Sequence, residues 1–500
     1  MTLFAWRRHI VTIASLAALL VVVLVAIFAP YRVNFGRVQG IVFVSMPYVV
    51  ALGGAMMLPL LGLLQYRMAG RLSAEVRAAV LVAVVGVGAL LSVLLTSRSL
   101  DETHFEDIVR ATYDDYADGF AASRWLSVYL LGAGAVEIIR GWIKARSQPG
   151  RDPAMPILYA LVGYYVGTLV IQLVASEHND FSYKSQYVPV LFAAAFYLPL
   201  MRFSGVAGVA KWVVLVLNVG SLVAAVIAPN FVLHRPDPGY LPGINWRLFG
   251  LTPHANTLGP IALLAILLEL KWPSRLRLAR YLHLISAASV LLLAQSKTAW
   301  GAAFVILAFV VVPNALRQGT GNTATTRDFT RAVWTLLALI VVAIAAAALM
   351  TVFSGADYLQ NKSDLTSLTG RTDIWDITLS AWRDNIFFGY GSEIWGAKRR
   401  SEFGLYHVGQ AHNQVVQTLG EAGLFGLLLL IVYLATLMRA ALAHFTASRG
   451  VVFSLLLLLL VRCVTEAPMR AEGLLSWPTF LHLLLLLSAC HAMRSGRRGV

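Results

Sequence analysis

The stretch HNQVVQTLGEAGLFGLLLLIVYLATLM, residues 412–438, combines the two features on which the fold depends. Its second half is almost entirely apolar, and the whole stretch exceeds the roughly 20 residues that a helix needs to cross a bilayer. Its first half places several polar side chains at one end of the same segment. The stretch therefore predicts a membrane-spanning helix with a polar end.

Similar apolar runs recur along the whole chain. Of its 500 residues, 58% are hydrophobic and only 13% are charged, and the mean hydropathy of +0.71 lies outside the soluble globular range. A helix pairs its own backbone groups and can therefore cross lipid. We predict an all-α, polytopic transmembrane helical bundle of about 14 spans, with 12 to 14 as the range, forming one membrane domain over residues 1–500. The predicted spans are Ile10–Ala29, Ile41–Leu64, Ala78–Thr96, Trp125–Ile139, Met155–Ala175, Tyr187–Met201, Val206–Ala228, Thr257–Leu270, Tyr281–Gln295, Thr298–Val312, Ala332–Phe353, His412–Met438, Val451–Val464 and Leu474–Ala489.

The basic residues predict the orientation of the bundle. Cytoplasmic loops retain Lys and Arg, and more than half of the 40 basic residues fall on one side if the N-terminus is cytoplasmic. Both termini are then cytoplasmic. The net charge of +15 follows from this topology, so it does not indicate a nucleic-acid partner.

The longest predicted outer segment covers residues 354–411. A loop of this length in a compact protein is usually functional. Apolar residues recur in it at helical spacing, at Trp375, Leu379, Trp382 and Ile386. They predict an amphipathic helix on the outer membrane interface, which either forms a lid or contacts substrate directly.

The span that begins at His412 carries a polar stripe. Asn413, Gln417 and Glu421 follow one another at intervals of four residues and so share one helix face. Polar groups are costly in lipid, so this face should line the protein interior or a wet cavity. For Gln417 a hydrogen-bonded packing seam is an equal alternative, whereas for Glu421 we favour a functional or site-supporting role. Close helix packing is predicted where glycines recur, at Gly420, Gly423 and Gly426.

His412 lies where this helix begins on the predicted outer side. A helix start presents free N–H groups and the positive end of the dipole, which favour anions such as phosphate. A lone histidine is more often a structural hydrogen-bonding group. In this setting His412 is a candidate general base or phosphate contact.

Two cations from distant parts of the sequence are predicted on the same side. Lys297 occupies a tight hairpin after Ser296, which we expect to cap the following helix. Arg371 precedes the amphipathic helix, and its planar fork suits bidentate binding of phosphate. The alternative for Arg371 is a salt bridge to Asp373 or Asp376.

Three further residues are candidates for substrate binding. His254 enters the eighth span from outside, in a sequence that we interpret as mainly structural. Arg462 and Glu466 lie at the outer end of the thirteenth span, where they either complete a polar cavity or pair with each other. No phosphate loop, zinc-binding helix or cysteine spacing is present, so we predict neither a metal site nor a cofactor.

Four segments resemble one known family. They are AHNQ at 411–414 with LGEAGLFG at 419–426, TGRTDIW at 369–375 with GYG at 389–391, QSKTAW at 295–300, and more weakly the region 250–259. Together they are similar to the O-antigen ligase and polysaccharide polymerase superfamily of bacterial inner membranes. The resemblance covers roughly residues 251–466.

This resemblance implies a metal-independent glycosyltransferase that acts on a glycan linked to undecaprenyl diphosphate. Members transfer the glycan to an acceptor hydroxyl at the periplasmic face, beneath the long outer loop. His412 would activate the acceptor, while Arg371 and Lys297 would hold the diphosphate. Many ligases have Arg where this chain has Lys297, which favours an exopolysaccharide polymerase.

Other functions stay open from the sequence. Within the superfamily, the alternatives are ligation of glycan to lipopolysaccharide core and transfer to protein. A flippase or other transporter also needs many spans and a polar cavity, but it should place charges near the middle of the bilayer. For a polymerase, the partners would include a chain-length regulator or export machinery, besides the donor, the acceptor and the lipid bilayer.

Overall fold

The computed structural model describes residues 70–96, 98–100, 121–147, 152–176, 187–235, 243–306, 371–405, 408–471 and 473–496, together with residues 67 and 241. Within these ranges the chain is mostly helical. The helices are α1 (Ala74–Leu94), α2 (Ala121–Ser147), α3 (Met155–Ala175), α4 (Val188–Phe196), α5 (Ser204–Ile227), α6 (Pro229–Val232), α7 (Ala255–Lys271), α8 (Arg277–Leu293), α9 (Lys297–Ile306), α10 (Arg371–Asp384), α11 (Ala397–Glu402), α12 (Gln414–Ala443), α13 (Val451–Thr465) and α14 (Trp477–Gly496). A 3-10 helix covers Ser392–Trp395, and two antiparallel strands, β1 (Leu233–His234) and β2 (Arg247–Leu248), pair Leu233 with Leu248.

Five of the described helices are long and apolar enough to cross a membrane, namely α1, α2, α3, α5 and α12. The predicted helical membrane architecture is therefore confirmed, and α3 has the predicted bounds. α4 has nine residues, fewer than its predicted span. Three predicted spans, Ile10–Ala29, Ile41–Leu64 and Ala332–Phe353, lie outside the described residues. The total of 14 spans and the cytoplasmic termini stay predictions.

α14 lies at the centre of the bundle. Its residues from Trp477 to Cys490 are buried on every side, as expected for a helix that is apolar all round. Ion pairs join the elements around α14 at the end of the bundle that contains Arg494. There Arg494 Nη2 donates to Asp152 Oδ2 at 2.6 Å, and Lys211 Nζ donates to Glu269 Oε2 at 2.8 Å. We call this the opposite end, and the end that contains His412 the site end.

Helix α12 is interrupted at Gly423, where the backbone has φ +60°. The interruption frees backbone groups, and the segment 386–391 pairs with them. Leu424 N donates to Ile386 O at 3.0 Å, Phe425 N to Phe387 O at 3.2 Å, and Tyr390 N to Gly420 O at 2.8 Å. Gly423 was predicted to serve packing between helices. This interpretation is wrong, because Gly423 is the residue at which α12 is interrupted and the segment 386–391 pairs with its backbone.

Of the two neighbouring glycines, Gly420 serves packing between helices, because a Cβ atom there would lie 2.6 Å from Thr378 Cγ2 of α10. A Cβ atom on Gly426 would overlap Ala422 Cβ of the same helix and lie at an ordinary contact distance of 3.6 Å from Thr168 Cγ2 of α3, so the close approach there is within α12. Gly420 thus lets α10 approach α12, as predicted for small residues at helix contacts.

We expect Gly423→Ala to destabilise the protein by about 1–3 kcal/mol or more. An alanine there is strained at φ +60°, and its Cβ would lie 2.5 Å from the backbone of Phe387. The thermal melting temperature of the purified protein in detergent measures this effect. The control is Gly163→Ala in α3, where a Cβ atom meets nothing within 4 Å. Equal melting temperatures for the two variants would contradict the prediction.

The described part of the long loop, residues 371–405 and 408–411, forms a small cap with its own apolar cluster. The predicted amphipathic helix is present as α10, but its buried face carries Ile374, Thr378 and Ala381. The predicted stripe of Trp375, Leu379, Trp382 and Ile386 is instead half-buried or exposed. The cap cluster also includes Ile394, Trp395, Val408 and Ala411. The cap thereby places Arg371 and the loop before His412 against the bundle.

Candidate active site

The site is built around the turn that leads from the cap into α12. His412 has φ +49°, in the left-handed region, which histidine adopts more often than most residues. Asn413 is the N-cap of α12, and its Oδ1 accepts from Val415 N at 2.9 Å and Val416 N at 3.1 Å. These two donors are therefore not available to an anion. The prediction of free N–H groups at this helix start is wrong for both of them.

His412 is hydrogen-bonded to a buried carboxylate. Its Nδ1 lies 2.9 Å from Glu466 Oε2, and the imidazole side chain is 31% exposed. Since a carboxylate accepts, Nδ1 carries the proton and Nε2 has a free lone pair in the neutral ring. Among the described residues, Nε2 has no hydrogen-bond partner. Nε2 of His412 can therefore accept a proton.

Glu466 collects donors from three other parts of the chain. Gln410 Nε2 donates to Oε2 at 2.9 Å, and Asn256 Nδ2 donates to Oε1 at 3.0 Å. Arg371 Nη2 lies 3.8 Å from Oε1, in a loose ion pair. Arg371 therefore pairs across the site with Glu466, whereas the sequence suggested Asp373 or Asp376 as its salt-bridge partners.

The surroundings of Glu466 keep its carboxylate ionised. Burial by itself would raise the pKa, but the hydrogen bond from His412 and the electrostatic interactions with His412, His254 and Arg462 lower the pKa of Glu466 to about 2. A fixed negative charge therefore faces His412 at physiological pH. Arg462 is buried, and its backbone carbonyl accepts from Glu466 N at 2.7 Å, while the predicted pairing of the two side chains stays a prediction.

The region around His254 supports this site. His254 is the N-cap of α7, and its Nδ1 accepts from Asn256 N at 3.1 Å. Arg247 Nη2 donates to Asn256 Oδ1 at 3.1 Å, which directs the Asn256 amide towards Glu466. His254 thus has a structural contact here, and the substrate-binding role stays a prediction.

Lys297 is the first residue of α9 and is exposed. Ser296 Oγ accepts from Ala299 N at 3.4 Å, which confirms the predicted cap. Thr298 Oγ1 donates to Thr465 Oγ1 at 2.8 Å. Because Thr298 follows Lys297 and Thr465 precedes Glu466, this contact places the backbone of Lys297 at the site end.

Gln417 and Glu421 form a second polar group beneath the turn. Gln417 is fully buried, its Oε1 accepts from Ala411 N at 2.5 Å, and its Nε2 donates to Glu421 Oε1 at 2.8 Å. Arg470 Nε lies 2.9 Å from the same Glu421 oxygen. These contacts agree with a hydrogen-bonded seam for Gln417 and with a site-supporting role for Glu421.

Three residues of this arrangement were not singled out from the sequence. Gln410 and Arg247 carry no recognisable pattern, so only the fold brings them to the site. Arg470 follows Glu466 by four residues in the same loop, and this spacing from a candidate carboxylate was the available signal.

A comparison with curated proteins found no match. A family model, by contrast, covers the part of the chain that contains Lys297, Arg371, His412 and Glu421, but ends before Glu466. Its description is O-antigen ligase. The chain therefore carries, over residues 282–431, a region that matches the O-antigen ligase family (Wzy_C), which confirms the resemblance to the O-antigen ligase and polymerase superfamily.

Proposed function

We propose that the protein is a metal-independent glycosyltransferase of the bacterial inner membrane. It polymerises oligosaccharide repeat units linked to undecaprenyl diphosphate, at the periplasmic face, during exopolysaccharide or O-antigen biosynthesis. The observation that carries this proposal is the 2.9 Å contact between His412 Nδ1 and the buried Glu466, with Arg371 beside the same carboxylate. The match to the O-antigen ligase family supports it.

The proposed reaction is the transfer of a glycan from diphosphate to a hydroxyl. His412 Nε2 takes the proton of the acceptor hydroxyl as its oxygen bonds to the anomeric carbon of the donor. The bond from this carbon to the diphosphate oxygen breaks, and the electron pair leaves with undecaprenyl diphosphate. Glu466 stabilises the imidazolium, while Arg371 and Lys297 stabilise the charge on the leaving group.

The geometry of Arg371 agrees with this role. At 3.8 Å its ion pair with Glu466 is longer than a strong charge-assisted hydrogen bond, and its side chain is 20% exposed. The planar guanidinium therefore keeps N–H groups for a phosphate oxygen while it stays oriented by Glu466. Lys297 supplies charge without a bidentate fork, which favours a polymerase over a ligase.

The second candidate function is ligation of the glycan to lipopolysaccharide core or to protein. It uses the same chemistry with a different acceptor, and the family description favours it. A flippase or other transporter is less well supported. The ion pairs of the site lie at one end of the bundle, whereas a transporter should place its important charges near the midplane.

Glycan profiling of a deletion strain tests the proposal. We expect lipid-linked single repeat units to accumulate, and the wild-type gene to restore polymer. Long lipid-linked chains that remain unattached would instead identify a ligase. Loss of lipid-linked substrate from the outer leaflet would favour transport, and an unchanged glycan profile would reject both enzymatic functions.

A further inference from the structure

The turn that presents His412 is held by one ring of hydrogen bonds, which attaches to its backbone at Gly409 and Ala411. We propose that Arg470 is a positioning residue that closes this ring and so fixes His412 for proton transfer. The inference rests on the proposed function, because it assigns Arg470 a role in the same reaction. Arg470 does not contact His412, so its effect has to be transmitted through the turn.

The ring can be followed atom by atom. Arg470 Nε lies 2.9 Å from Glu421 Oε1, and this oxygen accepts from Gln417 Nε2 at 2.8 Å. Gln417 Oε1 accepts from Ala411 N at 2.5 Å. The backbone then runs from Ala411 back to Gly409, whose carbonyl oxygen accepts from Arg470 Nη1 at 2.5 Å. The ring thus fixes the backbone at two points that directly precede His412.

Further contacts hold the residues between and beside these points. Trp375 Nε1 donates to Ala411 O at 2.8 Å, so both backbone groups of Ala411 are used. Gln410 Oε1 accepts from Ala467 N at 2.9 Å, one residue after Glu466. The position of the turn and the position of the carboxylate are therefore coupled.

The conformation of His412 explains why such fastening matters. Its φ of +49° is sparsely populated by residues with a side chain and persists only where the surroundings impose it. If the turn relaxed, the imidazole would move relative to Glu466, and Nε2 would no longer be oriented towards the acceptor hydroxyl. Catalytic rates respond steeply to displacements of about 1 Å.

The ring requires the fork of an arginine. Nε and Nη1 donate in two fixed directions, one to the carboxylate of Glu421 and one to the carbonyl of Gly409. Lysine has the same charge but a single ammonium group on a flexible stem. Arg470→Lys therefore keeps the charge and loses the geometry.

The test is steady-state kinetics of the purified full-length protein in lipid nanodiscs, with a synthetic repeat unit on undecaprenyl diphosphate as the probe. For Arg470→Lys we expect kcat to fall about 10- to 100-fold and the KM for this donor to change by less than about twofold. Glu421→Gln, which removes the ion pair at another point of the ring, should lower kcat in the same way. If Arg470→Lys does not fold, the kcat of Glu421→Gln tests the inference in its place.

Arg494→Lys is the matched control. Arg494 also joins a carboxylate, Asp152, to a backbone carbonyl, that of Leu198, but it does so at the opposite end of the bundle. This substitution should lower the melting temperature without lowering the kcat of the folded protein. An equal loss of kcat in the Arg470 and Arg494 variants would show a general structural effect and overturn the inference.

Exchanging the charges of Arg470 and Glu421 tests whether the hydrogen-bond geometry of the ring matters or only the attraction between opposite charges. Arg470→Glu combined with Glu421→Arg restores opposite charges but leaves no donor for Gly409 O and no acceptor for Gln417. We expect kcat to stay low, and recovery to the wild-type value would overturn the inference. If the wild-type protein had no transfer activity, the proposed function would be rejected. If the wild type were active and Arg470→Lys and Glu421→Gln kept its kcat, only the role of Arg470 would be rejected.

Discussion

Replacing His412 with asparagine is expected to lower the rate of glycan transfer by about 100- to 10,000-fold while the protein stays folded. Asparagine tolerates the left-handed backbone that His412 adopts at φ +49°. Its amide can also donate to Glu466 in place of Nδ1. The substitution therefore removes little except the basic nitrogen Nε2, which accepts the proton in the proposed reaction.

The measurement is single-turnover transfer from a lipid-linked repeat unit, made on His412→Asn, on His412→Ala and on a matched control. The control is His444→Asn, because His444 is the residue that ends α12 at the opposite end. We expect wild-type transfer from the control and similar melting temperatures for both asparagine variants. If His412→Asn kept wild-type activity and only His412→Ala lost it, the histidine would serve the conformation of the turn and could not be the base.

Much of the helical architecture could be predicted because it depends on local sequence. Apolar length alone gives α3 its bounds and identifies α5 and α13 to within two residues. The interruption at Gly423 could not be predicted in this way. A glycine that opens a helix and one that packs against a neighbour look alike in sequence, and the difference arises only when the segment 386–391 inserts.

The site residues could be nominated from the sequence, but their arrangement could not. Position at the ends of predicted spans identified His412 and Glu466, and the planar fork of its side chain identified Arg371 in the long loop. The sequence assigned Glu466 either to a polar cavity or to a pair with Arg462, whereas it is the acceptor for His412, Gln410 and Asn256. Contacts across such long stretches of chain depend on helix packing, which hydropathy does not specify.

Glu466→Gln should reduce kcat by about 100- to 10,000-fold, because His412 would lose both its orienting acceptor and its counter-charge. The groups around this carboxylate are donors: His412 Nδ1, Gln410 Nε2, Asn256 Nδ2 and the guanidinium of Arg371. A glutamine amide has one oxygen, so its NH₂ group must face at least one of these donors. Glu466→Asp keeps the charge on a shorter side chain and should lose less activity.

The pKa of Glu466 also predicts how the activity of Glu466→Gln depends on pH. The folded-state value of about 2 lies below the ordinary value of 4.5, so the stabilisation by the ionised carboxylate is complete above about pH 4.5 and is lost as the pH falls through 2. Protonation of Glu466 therefore cannot limit transfer between pH 5 and pH 8, and Glu466→Gln should stay impaired across this whole range. Glu75→Gln is the control, since Glu75 Oε1 accepts from Met201 N at 2.7 Å at the opposite end. Activity of Glu466→Gln equal to that of Glu75→Gln would show that His412 works without its carboxylate.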